Sequence, residues 1–212
     1  LAAGVAHEIR NPLNAISMAS QRLKRGNLDQ LTRVMRDEVR RLNHIIEEFL
    51  TFSRVRKLAF RSHDLIELLK KMVLLISEEA EPKGITIKTE WRDSPLMISM
   101  DIDKLKQAFL NIIKNGMESI SGEGSVSIIV EPKDKEWVSV KMSDTGAGLT
   151  PEEIEQIFDP DYTTKEKGLG LGLPLAHEII RGHGGEIQVQ SQPRSGTTVE
   201  IVLPRNNKAH SR

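Results

Sequence analysis

The chain contains no cysteine, which excludes disulfides and thiolate metal sites and is compatible with a reducing compartment. It has no charge excess either: Lys plus Arg and Asp plus Glu are both 30, so the formal net charge is zero. Binding to nucleic-acid phosphates usually requires a basic surplus, so a nucleic-acid partner is disfavoured. Long apolar runs are also missing. Stretches such as Met72 to Ile76 are far too short to cross a bilayer, and no signal peptide opens the sequence. The segment is expected to be cytoplasmic with no direct membrane contact, even if a longer protein around it is membrane-anchored. Its start at Leu1, inside a helical pattern with no N-cap, suggests such a longer protein. Neither a Walker A sequence nor a GxGxxG is present, so no P-loop or Rossmann nucleotide site is indicated.

What is present suffices for a folded core, with 212 residues of which 38% are hydrophobic. Residues 1–57 carry two helical stretches separated by Arg25-Gly26-Asn27, where Gly and Asn supply helix-stop and turn chemistry. In the second stretch Leu31, Met35, Val39, Leu42, Ile45, Phe49 and Phe52 recur at spacings of three and four. Two helices make a poor core by themselves, so the hairpin is expected to pair with a second copy as a four-helix bundle, giving a homodimer. Residues 58–63 read as a hinge, with Ser62 or Asp64 placed to cap a helix running to about Ala80. From 64 to 204 strands and helices interleave. Strands are expected at Ile85 to Thr89, Leu96 to Met100, Val126 to Val130, Trp137 to Met142, Glu186 to Val189 and Thr197 to Leu203. Helices are expected from Asp101 or Asp103 to Ile120, from Pro151 to Phe158 and from Leu171 to Arg181. The fold class is α+β, a helical hairpin followed by an α/β sandwich with a mixed sheet, and 205–212 read as a polar tail.

At about 100° per residue, Val5, Ile9, Pro12, Ile16 and Leu23 fall within a narrow arc of the first helix, and His7 lies roughly opposite. Asn11 shares the face of His7, and Glu8 stands beside it. A neutral imidazole attacks phosphorus through one nitrogen if the other donates its hydrogen to a carboxylate, and Glu8 is the nearest carboxylate. Pro12 cannot donate to the carbonyl of Glu8, which loosens the helix there. By position alone His7 is an ordinary surface histidine. The string His7-Glu8-Ile9-Arg10-Asn11-Pro12-Leu13, however, resembles the H-box of bacterial sensor histidine kinases. That resemblance implies that His7 is the phosphoacceptor, that Glu8 assists it, and that Asn11 helps place water for dephosphorylating a response regulator.

Three further elements follow in order. Asn111 and Asn115 lie one helical turn apart, so their amides can converge on a metal and its phosphates. Asp144-Thr145-Gly146-Ala147-Gly148 follows a strand, with a carboxylate able to accept from an adenine amino group and glycines that allow close backbone approach. Gly168-Leu169-Gly170-Leu171-Gly172 opens a helix whose amides suit phosphate oxygens. Each alone has a plainer reading, as solvated helix surface, a strand-ending turn or a tight loop. Together they resemble the N, G1 and G2 boxes of the GHKL (Bergerat) ATPase fold shared by histidine kinases, gyrase, Hsp90 and MutL. Ile157-Phe158-Asp159-Pro160 between the last two looks like the F-box.

The resemblance implies ATP and Mg²⁺ as cofactors, with Asn115 and Asn111 toward the metal and Asp144 reading adenine. Gly146 and Gly148 would line the base pocket, and Gly168, Gly170, Leu171 and Gly172 the phosphates. Thr197 matches a threonine that supports adenine in this fold, or is an ordinary strand residue. Lys165 and Lys167, in the lid, either neutralise γ-phosphate charge or are solvated. His177 and His183 read as packing residues. The chain departs from the pattern in having Asp161-Tyr162 after the F-box where two aromatics are usual, Leu169 where the lid usually has threonine, and Gly116 where alanine is usual. The activity implied is autophosphorylation of His7 and transfer to the receiver domain of a response regulator. The rival readings are a GHKL nucleotide-switch ATPase, which normally has a glutamate where this chain has Asn111, and an inactive dimeric scaffold, which would be expected to lack His7, Asn115 or Asp144.

Overall fold

The computed structural model describes residues 2–22, 31–40, 42, 58–91, 95–160, 162–163 and 170–206, with side chains in the first range for 9–21 only. The chain divides into two compact units, Leu1–Arg56 with Asp159–Gly172, and Lys57–Phe158 with Leu173–Arg212.

In the first unit, helix α1 (Ala2–Arg22) carries His7 and Glu8 and runs through Pro12. Residues 31–40 form a second helix, α2. Along α1 Pro12 and Ala19 are buried and Asn11 is exposed, whereas Leu13 and Met18 on α1 and Val34 and Val39 on α2 are exposed apolar side chains. Leu31, Met35 and Leu42 are half-buried at the expected spacing. The side chains of His7 and Glu8, the turn at Arg25-Gly26-Asn27, and Ile45, Phe49 and Phe52 lie outside the described residues.

The second unit is an α/β sandwich. It comprises β1 (Arg61–Asp64), α3 (Leu65–Ala80), a short 3₁₀ turn (Glu81–Lys83), β2 (Ile85–Trp91), β3 (Met97–Met100), α4 (Ile102–Ser119), β4 (Gly124–Pro132) and β5 (Trp137–Asp144). After these come α5 (Pro151–Gln156), α6 (Gly172–Gly182), β6 (Glu186–Ser191) and β7 (Thr197–Pro204). The main sheet has the order β2-β4-β5-β7-β6, with β2 and β4 parallel and every other pair antiparallel, so it is mixed.

Alternation along the strands decides which face is covered. Val126, Ile128 and Val130 of β4, Val138, Val140 and Met142 of β5, and Val199, Ile201 and Leu203 of β7 are buried in one cluster with α3, α4 and α6. The other face carries Glu131, Lys141 and Glu200 and a Ser143–Thr198 hydroxyl pair at 2.8 Å, as in a sheet with one face to water. Both long helices present apolar stripes at spacings of three and four, Leu65, Leu68, Leu69, Met72 and Ile76 on α3 and Leu105, Ala108, Phe109, Ile112 and Ile113 on α4. Fully buried Phe109 centres the α4 stripe; truncating such a phenylalanine to alanine costs about 3–5 kcal/mol. Asp64 and Asp101 cap α3 and α4, accepting from Ile66 N–H at 3.0 Å and Lys104 N–H at 3.2 Å.

Residues 58–64, mostly expected as a hinge, are engaged within this unit. Arg61–Asp64 is a strand paired antiparallel with β3. Ala59 N–H donates to Asp101 Oδ2 at 2.9 Å, and the Phe60 ring meets His183 edge-on at 5.1 Å between centroids. The helix expected to reach Phe158 ends at Gln156 and continues as a turn. Among the described residues no helix is long and apolar enough to cross a membrane.

Candidate functional site

The site is built where β5 ends. Asp144, its last residue, is half-buried between α4 and the loop that follows. Oδ1 accepts from Gly146 N–H at 2.8 Å and Thr197 N–H at 3.3 Å, and the Ser119 hydroxyl stands 3.1 Å away as a third donor. Among the described residues nothing donates to Oδ2. Burial holds the Asp144 carboxyl above its ordinary value of 3.8, and the three donors to Oδ1 pull against that rise. One oxygen is thus fixed by the protein and the other is left with acceptor capacity.

The loop from Thr145 to Thr150 is held from two sides. Its start joins α4 and β4: Ala147 N–H donates to Ser119 O at 3.1 Å and Thr145 N–H to Ser125 O at 3.1 Å. Its far end is a capping box on α5, in which Glu153 N–H donates to Thr150 Oγ1 and Thr150 N–H to the Glu153 carboxylate. The β6–β7 turn grips the middle, with Arg194 N–H donating to Ala147 O at 2.6 Å and Leu149 N–H to Ser191 Oγ at 2.8 Å. Gly148 has φ +69°, and a Cβ there would overlap the Gln192 carbonyl, so both conformation and space require glycine.

These elements line an open cavity, with about 570 Å³ of non-protein space that includes solvent at its mouth. Asn115, Gly116, Ser119, Asp144 and Thr197 supply polar or bare backbone walls, and Ile112, Met142, Ile157, Phe158 and Val199 supply apolar ones. A mostly apolar cavity lined by a carboxylate with one oxygen left to accept fits a heteroaromatic ring carrying an amino group. Phe158 is itself stacked on His177, at 4.8 Å between ring centroids. Leu173, in the first turn of α6, also lines the cavity.

Of the residues singled out from sequence, the structure brings Asn115, Asp144, Gly148 and Thr197 to this cavity, and Gly146 to the loop beneath it. Asn111, one turn before Asn115, is half-buried and is not among the lining residues. Gly170 has φ +66°, Leu171 is buried and Gly172 opens α6. Lys165, Lys167 and Gly168 lie outside the described residues. Sequence reasoning missed Ser119 and Ser191. Ser119 continues the four-residue spacing of Asn111 and Asn115, a signal that was available. Ser191 reaches the loop only through sheet pairing, and nothing local marks it.

Residues 1–57 match the family model of the His Kinase A (phospho-acceptor) domain, and residues 100–207 match that of the histidine kinase-, DNA gyrase B- and HSP90-like ATPases. The chain belongs to the bacterial histidine kinases of two-component systems. It is 36% identical over 207 residues to sporulation kinase C of Bacillus subtilis, covering 96% of this chain and 48% of that protein. With the sensor histidine kinase ZraS of Escherichia coli K12 it shares 36% identity over 211 residues, covering 97% of this chain and 45% of the relative. The chain therefore spans about half the length of these relatives. Among solved structures, the histidine kinase ThkA in complex with the response regulator protein TrrA superposes with a TM-score of 0.81 at 28% identity, covering 99% of this chain and 62% of that one. The catalytic domain of ThkA alone gives a TM-score of 0.66 at 28% identity, over 71% of this chain and 98% of that domain. An ATPase-family domain implies ATP binding.

Proposed function

We propose that the chain transfers the γ-phosphoryl group of ATP to His7 and passes it on to an aspartate in the receiver domain of a response regulator. The observation that carries this reading is the pairing of two things in one chain. A phosphoacceptor-type helix bears His7-Glu8-Ile9-Arg10-Asn11-Pro12, and a separate unit holds a cavity lined by a carboxylate with one oxygen left to accept. The relatives are named as kinases, and ThkA is known in complex with a response regulator.

In this reading Asp144 Oδ2 accepts from the adenine amino group, and Thr197, Gly146 and Gly148 shape the base pocket. Gly168, Gly170, Leu171 and Gly172 receive phosphate oxygens on backbone amides, with Gly172 opening α6. Lys165 and Lys167 offset γ-phosphate charge. Asn115 and Asn111 offer neutral, hard amide oxygens, a donor set suited to Mg²⁺ that arrives already bound to phosphates. The metal, when bound, screens the charge of the triphosphate. A lone pair of the His7 imidazole attacks the γ-phosphorus, the bond from that phosphorus to the β–γ bridging oxygen breaks, and ADP leaves. The second imidazole nitrogen holds its hydrogen toward the Glu8 carboxylate, which stabilises the positive charge that develops. Asn11 is exposed on α1, and in this reading it orients water when the regulator is dephosphorylated.

The domains in this reading are 1–57 for dimerisation and phosphotransfer and 64–204 for ATP. Because 58–60 pack on Asp101 and His183, we place the pivot before Leu58 rather than across 58–63. The exposed Leu13, Met18, Val34 and Val39 support a homodimer through the hairpin. We place this segment in the cytoplasm, where ATP and response regulators reside.

The test is incubation with Mg²⁺ and γ-labelled ATP. Acid-labile, base-stable label on the wild-type chain is expected, and none on His7→Gln, with nucleotide binding unchanged. Label that persists in His7→Gln overturns the assignment. Hydrolysis without any protein label favours the nucleotide-switch ATPase, and neither label nor hydrolysis favours the scaffold.

A further inference from the structure

Asn111, Asn115 and Ser119 stand one turn apart along α4, and only the first two have a place in the nucleotide reading so far. Ser119 Oγ lies 2.8 Å from the Gly116 carbonyl and 3.1 Å from Asp144 Oδ1, so its single hydrogen is shared between them. A Cβ at position 146 would overlap that hydroxyl, so Gly146 is what admits it to the carboxylate. On the opposite side, a Cβ at position 116 would stand 3.2 Å from Asp144 Cβ and 3.3 Å from Oδ2. Such contacts are tighter than ordinary van der Waals packing, so the hydrogen at position 116 leaves the carboxylate room that a methyl would reduce by a few tenths of an ångström. The carboxylate therefore sits between a hydroxyl that holds one oxygen and a bare helix backbone that leaves the other undisturbed.

This arrangement fixes the rotation of the carboxylate about its Cβ–Cγ bond. Three donors converge on Oδ1 and none of the described residues donates to Oδ2. An acceptor presented this way pairs with an amino group at carbon 6 of a purine, gains nothing from hydrogen there, and opposes a carbonyl. We propose that Ser119 is a positioning residue that fixes Asp144 Oδ2 as the base-facing acceptor and so sets selectivity for 6-amino purine nucleotides. The proposal rests on the reading of the cavity as an ATP site.

The test measures the affinity of the whole chain for Mg-ATP and for the Mg complex of purine riboside triphosphate, which has hydrogen at carbon 6. Wild type and Ser119→Ala are compared, with the thermal midpoint of each recorded without nucleotide. Wild type prefers ATP. Ser119→Ala weakens ATP on the order of five- to tenfold, the size of one net hydrogen bond, and leaves the analogue unchanged, so the preference collapses. A role confined to packing lowers both affinities together, so an unchanged ratio in Ser119→Ala overturns the assignment of Ser119. A wild-type chain that binds both nucleotides equally, or neither, overturns the adenine-site reading and this proposal with it.

Discussion

The backbone N–H of Asp101 donates to Nε2 of His183 across 82 residues of sequence, at 3.1 Å. Because Nδ1 of the same ring is 2.8 Å from the Ile179 carbonyl, His183 is held as the neutral tautomer with hydrogen on Nδ1. Burial pushes its pKa below the ordinary 6.5, while the Ile179 carbonyl and the Asp101 carboxylate pull the other way. The folded chain thus resists a proton that the unfolded chain accepts. Stability from this group is complete above the unfolded value and is lost as pH falls below it, by at most about 1.4 kcal/mol per pH unit. Urea denaturation between pH 7.5 and 5.5 is expected to show this loss. In His183→Gln, whose amide oxygen still accepts from Asp101, overall stability falls by about 1–3 kcal/mol but the pH dependence flattens. Equal slopes in the two proteins rule the account out.

Asp144 has the opposite linkage. Its pKa is raised, so its favourable contribution to folding exists only below the unfolded 3.8 and is lost as pH rises through the folded value. At neutral pH the ionised group opposes folding of the empty protein. Asp144→Asn keeps an oxygen for the three donors on Oδ1 and replaces the open acceptor with an amide NH₂. The expected result is a thermal midpoint at or above that of wild type, together with at least about a tenfold loss of ATP affinity, since a donor then faces a donor. A lowered midpoint with ATP affinity intact contradicts this reading.

Gly148 and Gly122 separate two reasons for glycine. Both have positive φ, +69° and +89°, but a Cβ at 122 meets nothing within 4 Å whereas one at 148 overlaps the Gln192 carbonyl. Gly122→Ala is expected to lose about 1–2 kcal/mol from backbone strain alone, with ATP affinity unchanged. Gly148→Ala loses more, and loses ATP affinity as well, because the loop that donates Gly146 N–H to Asp144 must move. Chemical denaturation and nucleotide titration on the two variants distinguish these effects.

How much of this was legible in sequence depends on how local each signal was. Helices α3 and α4 announce themselves through Asp64 and Asp101 and through apolar spacings of three and four, all within one window. Strand β1, Arg-Ser-His-Asp, has no apolar alternation and exists because it pairs with Met97–Met100 more than 30 residues away. The mixed order of the main sheet was readable as a class, but its register was not. It is the pairing of Ser143 with Thr198 that brings Thr197 beside Asp144, and only family resemblance pointed to that threonine. Asp144 itself stood out because glycines follow it. Ser119 continues the spacing of Asn111 and Asn115, but its role shows only once the strand beyond it supplies a carboxylate.

Ser191 shows what such a nonlocal contact is worth. At the end of β6 its hydroxyl accepts from Leu149 N–H at 2.8 Å, stands 2.9 Å from the Gly196 carbonyl, and pairs with Thr197 Oγ1 at 2.8 Å. It therefore ties the loop after Asp144 to the turn that presents Thr197 N–H to the same carboxylate. Ser191→Ala leaves Leu149 N–H without its partner, which is expected to cost about 1–3 kcal/mol in urea denaturation. Because the hydroxyl lies beneath both rims of the cavity, ATP affinity falls as well. Ser139→Ala is the control: its hydroxyl donates to the Glu200 carboxylate at 2.7 Å on the far face of the sheet. There stability falls and ATP affinity does not. Equal effects of the two variants on ATP affinity count against a role for Ser191 in holding the site.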